Sequence, residues 1–368
     1  MSGKVDPITK RLTRTAYRSF CGLHTIANSL VPRKKAMKVF YGGALSGDVG
    51  GPLVKVQRLS AEFPNTRWGY DLVYLLSNTP YLPTYALRFL QRQGIPTVLN
   101  QNGVFYPAWF AGDWASRNAS MAIAHREARW VFYQSNFARR CSEIYLGKRT
   151  GSSEVLYNAV DTGKFIPATR EGLKFRFLHT GKIGTDMGYR VHAVIRGLAS
   201  ARRSGLDAEL LVAGALSPDV RSSATEMARS YGIEENVLLR GPYTQREGPQ
   251  VYADADAYIS MTFNDVCPNA VLEALACGLP VVHSNSGGVP ELVGSEAGVG
   301  VYCPQSFEQV HVPDPDAIGQ AMIKVVDNHA RMSHAARDRC VERFDMKHWI
   351  KRHTEVFAEL LGNQGIRH

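Results

Sequence analysis

The chain has no long apolar run. Nothing in its 368 residues approaches the roughly 20 consecutive apolar residues that cross a bilayer as a helix, so no spanning segment is expected. No apolar stretch follows the basic start in the manner of a secretory leader, so none is expected there. Cysteine is sparse and scattered. Cys21, Cys141, Cys267, Cys277, Cys303 and Cys340 form neither a CxxC pair nor a zinc spacing, which reads as reduced thiols in a cytoplasmic protein. No base stands next to Cys267, so it reads as a spectator. No internal repeat or low-complexity segment is present. The glycine-rich stretch with Gly42, Gly43, Gly47, Gly50 and Gly51 lacks the GK[ST] ending of a Walker loop and is a poor GxGxxG, so dinucleotide binding has little support.

Acidic residues are scarce at one end. Residues 1–40 hold Lys4, Lys10, Arg11, Arg14, Arg18, Arg33, Lys34, Lys35 and Lys38 against Asp6 alone, which is +8 of the formal +10. The body is therefore close to neutral, and a nucleic-acid partner is not implied. On a helical wheel of residues 8–30, Ile8, Leu12, Ala16, Phe20, Leu23, Ile26, Ala27 and Leu30 share one third of the circle. Lys10, Arg11, Arg14 and Arg18 lie opposite. A basic amphipathic arm over 1–36 is expected, and two uses stay open: lying on an anionic membrane surface, or packing on the protein's own body. Pro32 ends it.

The length suits two domains of ordinary size, each with a sizeable core. Strand and helix alternate from residue 37 onward, the pattern of parallel α/β sheets. One such domain is expected over 37–165, a linker near 162–172, and a second domain over 173–342. The stretch 343–368 ends in an amphipathic helix. In the first domain, the glycine loop between strand 37–41 and the helix from Pro52 lets the backbone approach an anion. The loop after strand 97–100 combines the amides of Gln101 and Asn102 with the aromatic Trp109, a mixture suited to stacking and hydrogen bonding with a sugar.

The most informative stretch is 265–293. Seven residues separate Asp265 from a second acid, Glu273. Pro268 and Asn269 suit a turn entering a helix, Gly278 stops it, 279–282 reads as a buried strand, and Gly287-Gly288 makes another tight turn. In a parallel sheet this order puts a helix N-terminus at the carboxyl edge of the strands, where phosphates bind. The N–H groups there can hold a diphosphate, Glu273 can accept from a ribose, and Asp265 from a sugar hydroxyl. A capped surface helix with two solvated acids is the bland alternative.

These residues, with ALACGLPVV and GGVPELV behind the acid pair, YNAVD at 157–161, Gly50-Gly51 and RFDMKHWI at 343–350, give the chain its resemblance. It resembles the retaining family 4 of GT-B glycosyltransferases, the glycosyl transferases group 1, most closely over 157–293; the first 36 residues lie outside. The resemblance implies two Rossmann-like domains with parallel sheets facing across a cleft, and a C-terminal helix crossing back to the first. It implies sugar transfer from a nucleotide-diphosphate donor, with retention and without an essential metal or other cofactor. Glu273 would hold the ribose, the N–H groups of Ala270, Val271 and Leu272 with Asn269 the diphosphate, and Asp265 the sugar hydroxyls. Gly181, Tyr243, Gly50 and Gly51 would also border the donor, and Lys182 would be catalytic. Gln101, Asn102 and Trp109 would face a glycan or lipid-linked acceptor.

Two departures stand out. The first acid is Asp265, one methylene shorter than the family's Glu. Met187 occupies the place of a second cation. Arg190 lies one turn on and is expected to reach back and supply the charge, since helical side chains lean toward the N-terminus. The family's histidine after the first-domain strand is replaced by Gln101 and Asn102, while His179 and His283 are expected to be structural. A cytoplasmic transferase, peripheral on a membrane, is the leading expectation. A sugar-nucleotide epimerase has no carboxylates placed for it, and a catalytically degenerate sugar-nucleotide-binding protein with a regulatory or scaffold role stays open.

Overall fold

The structure is a computed structural model that describes residues 8–29, 31, 37–44, 47, 51–77, 82–170 and 174–362. Gly50, part of the basic arm (1–7) and the basic cluster 33–35 lie outside the described residues. Two compact units are present. The first comprises 1–157, 307–309 and 347–368, and the second 158–306 and 310–346.

In the first unit, α1 (Ile8–Ser29) precedes β1 (Val39–Phe40), α2 (Gly51–Glu62), β2 (Leu72–Leu76), α3 (Thr84–Arg92), β3 (Thr97–Gln101), α4 (Trp114–Glu127), β4 (Trp130–Tyr133), α5 (Asn136–Tyr145) and β5 (Ser153–Val155). The sheet runs β1-β2-β3-β4-β5, all parallel. Residues of β2, β3 and β4 are buried on both faces, which explains the apolar runs of β2 and β4, while β3 ends in buried amides. Asp113 accepts from the Ser116 N–H at 3.0 Å and opens α4 at Trp114.

In the second unit, β6 (Phe175–Thr180) leads to α6 (Tyr189–Arg203), β7 (Ala208–Ala213), α7 (Pro218–Ser230), β8 (Val237–Arg240), α8 (Gly248–Ala253), β9 (Ala257–Ser260), α9 (Asn269–Ala276), β10 (Val281–Ser284), α10 (Val289–Val293), β11 (Gly298–Val301), α11 (Pro315–Asp327) and α12 (His329–Phe344). The parallel sheet runs β11-β10-β9-β6-β7-β8. From β6 the chain winds outward through β7 and β8, then returns to the other side of β6 as β9. The winding direction therefore reverses between β6 and β9, the place where open α/β sheets bind ligands at their carboxyl ends. The core beneath includes Phe177, Leu198, Leu210, Ile259, Ile318 and Met322. The strand β11 alternates Gly and Val and carries no strand-like polar face.

The last helix, α13 (Met346–Leu360), returns to the first unit. Phe357 packs on Phe63 with ring centroids 5.0 Å apart, and His353 Nε2 lies 3.0 Å from the Tyr74 hydroxyl. Arg352 pairs with Glu154 at 2.9 Å.

Candidate functional site

The reversal point of the second sheet is formed by the ends of β6 and β9. After Thr180, the last residue of β6, Gly181 takes φ +157° and its N–H donates to the Ala213 carbonyl at 3.1 Å. Gly214 crosses so close that a Cβ there would lie 2.1 Å from the Gly181 oxygen. Two backbones thus meet without side chains, leaving the loop open at its outer face. Lys182 is exposed on that loop, and Ile183 turns back into the core.

Residues 185–187 form one 3-10 turn ahead of α6. Arg190, half-buried, reaches back so that its Nη2 lies 3.1 Å from the Met187 sulfur. Its Nε is buried with no partner among the described residues. Its charge acts on two groups at the strand ends. Burial pushes the Asp265 carboxyl above its ordinary range, against which Arg190 and the N–H groups of Cys267 and Val266 pull it down. Burial holds His179 neutral, at about 4, and Arg190 adds to that depression. His179 Nδ1 faces the Ile259 carbonyl at 2.8 Å and His283 Nδ1 the Ser284 carbonyl at 3.0 Å. Both are buried, and His179 Nε2 has no partner among the described residues.

Asp265 is presented by a constrained loop. The preceding Asn264 is buried, adopts φ +53°, and is held by three contacts. Its N–H donates to Ser286 Oγ at 3.1 Å, its amide donates to the Ser306 carbonyl at 2.7 Å, and Gln305 donates to its Oδ1 at 2.7 Å. Left-handed backbone at a residue other than glycine persists where its surroundings hold it. The Asp265 carbonyl accepts from the Gly288 N–H at 2.7 Å, and a Cβ on Gly287 (φ +71°) would lie 2.4 Å from that oxygen. The glycine turn therefore exists to let the backbone behind Asp265 pass. Cys267 is structural too: Asn158 of the YNAVD segment donates its amide to the Cys267 carbonyl at 2.8 Å.

Asp265, the cap Pro268 and α9 follow in quick succession. The Val271 and Leu272 N–H groups turn back on the Pro268 carbonyl at 3.2 and 3.5 Å, and no side chain caps the helix start. Asn269 Oδ1 is buried without a partner among the described residues. One turn on, half-buried Glu273 accepts from the Tyr252 hydroxyl at 2.9 Å. Tyr252 also neighbours Thr180 Oγ1 (3.3 Å), which lies 3.1 Å from the Tyr258 hydroxyl. Burial, reinforced by the Glu273 carboxylate, raises the Tyr243 and Tyr252 hydroxyls well clear of ionisation at neutral pH. Glu273 and Tyr243 thus border one hydroxyl cluster at the end of β6. The members that the sequence did not disclose are Thr180, Tyr252, Tyr258 and Asn264. The two tyrosines read as ordinary residues of α8 and β9, and only their shared contact with Thr180 at the end of β6 marks them.

In the first unit, Gln101 ends β3, is buried, and donates to the Gly103 carbonyl at 2.5 Å. The Asn102 N–H donates to Ser77 Oγ at 2.9 Å, and Gln134 donates to Asn102 Oδ1 at 2.7 Å and to Asn100 Oδ1 at 2.9 Å. Buried Lys55 of α2 donates to the same Asn100 oxygen at 2.7 Å. Trp109 is half-buried. These amides form a buried polar layer at the carboxyl ends of β3 and β4. Gly51 is the first residue of α2.

The residues from Phe175 through α11 match the family model described as "Glycosyl transferases group 1" over 174–328. Over those residues the chain is similar to the group 1 glycosyltransferases. Similar curated proteins include the D-inositol 3-phosphate glycosyltransferase of Paenarthrobacter aurescens (strain TC1), 29% identical over 119 residues covering 32% of this chain and 29% of that protein. The protein of the same description from Salinispora tropica is 26% identical over 236 residues, covering 58% and 47%. The chain thus spans less than half the length of these relatives. A solved structure of Anabaena HepE in complex with UDP superposes with a TM-score of 0.62 at 19% identity, covering 93% of this chain and 96% of that one. The chain therefore has the GT-B fold.

Proposed function

We propose that the protein is a retaining glycosyltransferase of family 4. It moves a sugar from a nucleotide-diphosphate donor to a glycan or lipid-linked acceptor at the cytoplasmic face of a membrane. The observation that carries this reading is the gathering of Asp265, Glu273, Arg190 and the uncapped start of α9 at the reversal point of one parallel sheet. Likeness to a protein whose structure holds UDP supports a sugar-nucleotide donor.

In this reading Glu273, oriented by Tyr252, accepts from the ribose, and Tyr243 borders the base. The Asn269 and Ala270 N–H groups that lead α9, rather than those of Val271 and Leu272, which bond the Pro268 carbonyl, hold the diphosphate together with the glycine loop at Gly181. Asp265 binds hydroxyls of the donor sugar. Lys182 and Arg190 meet the charge that develops on the leaving diphosphate, and stabilising such charge commonly contributes more to the rate than any other single effect. Arg190 takes the place of the cation missing at Met187, and no essential metal is invoked. Asn102 and Trp109 bind the acceptor, Gln101 being buried and turned to the Gly103 carbonyl, while Gly50 and Gly51 border the donor.

Titration against a panel of nucleoside diphosphates and sugar nucleotides, read by thermal shift, tests the donor assignment, because selective binding stabilises the fold. Release of nucleoside diphosphate from the selected donor then tests turnover, and the anomeric configuration of the product tests retention. Selective binding without turnover across donors and acceptors would favour the degenerate reading, which the shorter Asp265 and Met187 support. No binding to any member of the panel would overturn both.

A further inference from the structure

The sequence leaves open whether the apolar face of α1 is spent on the protein's own body. The structure shows that it is not. The helix seats on its first unit through Cys21, Gly22, Thr25 and Asn28, all buried. A Cβ at Gly22 would lie 2.3 Å from the Tyr85 hydroxyl, so the helix approaches α3 closely there. The Gly69 N–H donates to Asn28 Oδ1, and the Tyr17 hydroxyl donates to the Gly43 carbonyl at 2.7 Å. Leu12, Phe20 and Leu23 point the other way and are 64%, 63% and 65% exposed, with Ala16 and Ala27 exposed between and beyond them. Positions 12, 16, 20, 23 and 27 form one stripe at helical spacing, opposite the seated face. Trp68, 55% exposed, continues it, its ring 4.6 Å from that of His24.

We propose that this stripe is the docking face for an anionic lipid bilayer, with Leu12, Phe20 and Leu23 entering the acyl boundary and Trp68 resting at headgroup depth. The inference deepens the membrane location proposed above and rests on it. Charge selects the occupant. Residues 1–40 hold +8 of the formal +10, and a basic helix with an apolar face suits an anionic surface. Lys10, Arg11, Arg14 and Arg18 fall on the far sector of the wheel from the stripe. An indole beside the stripe also fits the polar-apolar boundary of a bilayer. No helix among the described residues is long and apolar enough to cross a membrane, so the contact is one of lying on the surface.

Flotation of the full chain tests this, with vesicles of phosphatidylcholine containing about a third phosphatidylglycerol and with phosphatidylcholine alone. The native chain is expected to float with the anionic vesicles, and Phe20→Glu with Leu23→Glu to lower the bound fraction at least about tenfold. Both side chains are exposed, so the melting temperature should hold. Should the double variant fail to fold, a second comparison decides: the vesicle-induced fluorescence blue shift of the native chain should shrink in Trp68→Phe. Equal flotation of native and double variant, or an unchanged blue shift in Trp68→Phe, would overturn the proposal. So would a lipid-free dimer of the native chain that the double variant converts to monomer, since the stripe would then be covered by a second copy. Flotation does not depend on turnover. A chain that floats through the stripe but binds no sugar nucleotide would sink the transferase reading and leave the docking face standing.

Discussion

The Tyr252 hydroxyl donates to the Glu273 carboxylate at 2.9 Å, linking a residue of α8 to the second acid of the family pattern. A carboxylate on a helix can adopt several rotamers, and this bond selects one of them. Tyr252→Phe should leave the fold intact at a cost of about 1–3 kcal/mol, since the hydroxyl's bond to Glu273 and its contact with Thr180 are both lost. It should weaken nucleoside diphosphate binding several-fold, while Glu273→Gln weakens it more. Calorimetric titration of both variants against the preferred nucleotide checks the order. Equal affinity of Tyr252→Phe and native protein would show that Glu273 is positioned by other means.

Arg190 contacts the Met187 sulfur and acts electrostatically on Asp265. Loss of one preorganised charge-stabilising group commonly costs about a hundredfold or more in turnover. Arg190→Ala is expected to lose that much, with Arg190→Lys partly restored, and Lys182→Ala to lose a comparable amount. Steady-state rates with the selected donor provide the check. Unchanged turnover in Arg190→Ala beside abolition in Lys182→Ala would end the idea that Arg190 replaces the missing cation.

Two glycines with nearly equal φ separate backbone strain from steric exclusion. Gly94 (φ +64°) has open space where a Cβ would stand, while at Gly287 (φ +71°) that atom would meet the Asp265 carbonyl at 2.4 Å. Gly94→Ala should cost about 1 kcal/mol, from conformation alone. Gly287→Ala should cost clearly more and also weaken donor binding, because the loop bearing Asp265 must move. Chemical denaturation of the two variants, with the nucleotide titration repeated on Gly287→Ala, tests the difference.

Acid should destabilise the protein through its buried histidines. Burial lowers His179 and His283 to about 4 and His353 to about 3, from an ordinary value of 6.5. Between those limits the unfolded chain binds protons that the folded chain does not, so stability rises with pH. It is fully present above about 6.5 and is lost as pH falls toward 4, at up to about 1.4 kcal/mol per pH unit for each histidine. Melting temperature measured from pH 7.5 to about 5 should fall, and His283→Gln should flatten the dependence. A flat profile in the native protein would show these imidazoles charged in the folded state.

Much of this protein can be read from residue order alone. Alternating strand and helix signals placed nearly all the elements of both sheets, because parallel strands covered on two faces need continuous apolar runs. The spacing of Asp265 and Glu273, with Pro268 and Gly287-Gly288 around them, marked a loop, a helix start and a tight turn, since proline and glycine act on the backbone locally. The reach of Arg190 toward Met187 was legible for the same reason: both lie within about one turn of helix. What residue order could not disclose is which distant segments share a strand end. Thr180 stands far along the chain from Tyr252 and Tyr258, yet the three form one hydroxyl cluster beside Glu273, and only the reversal of winding between β6 and β9 brings them there. The face that α1 buries was likewise undecided. An amphipathic pattern states that two faces differ, but contact with a body is settled by shape, and at Gly22 and Asn28 close backbone approach and a hydrogen bond outweigh the apolar stripe.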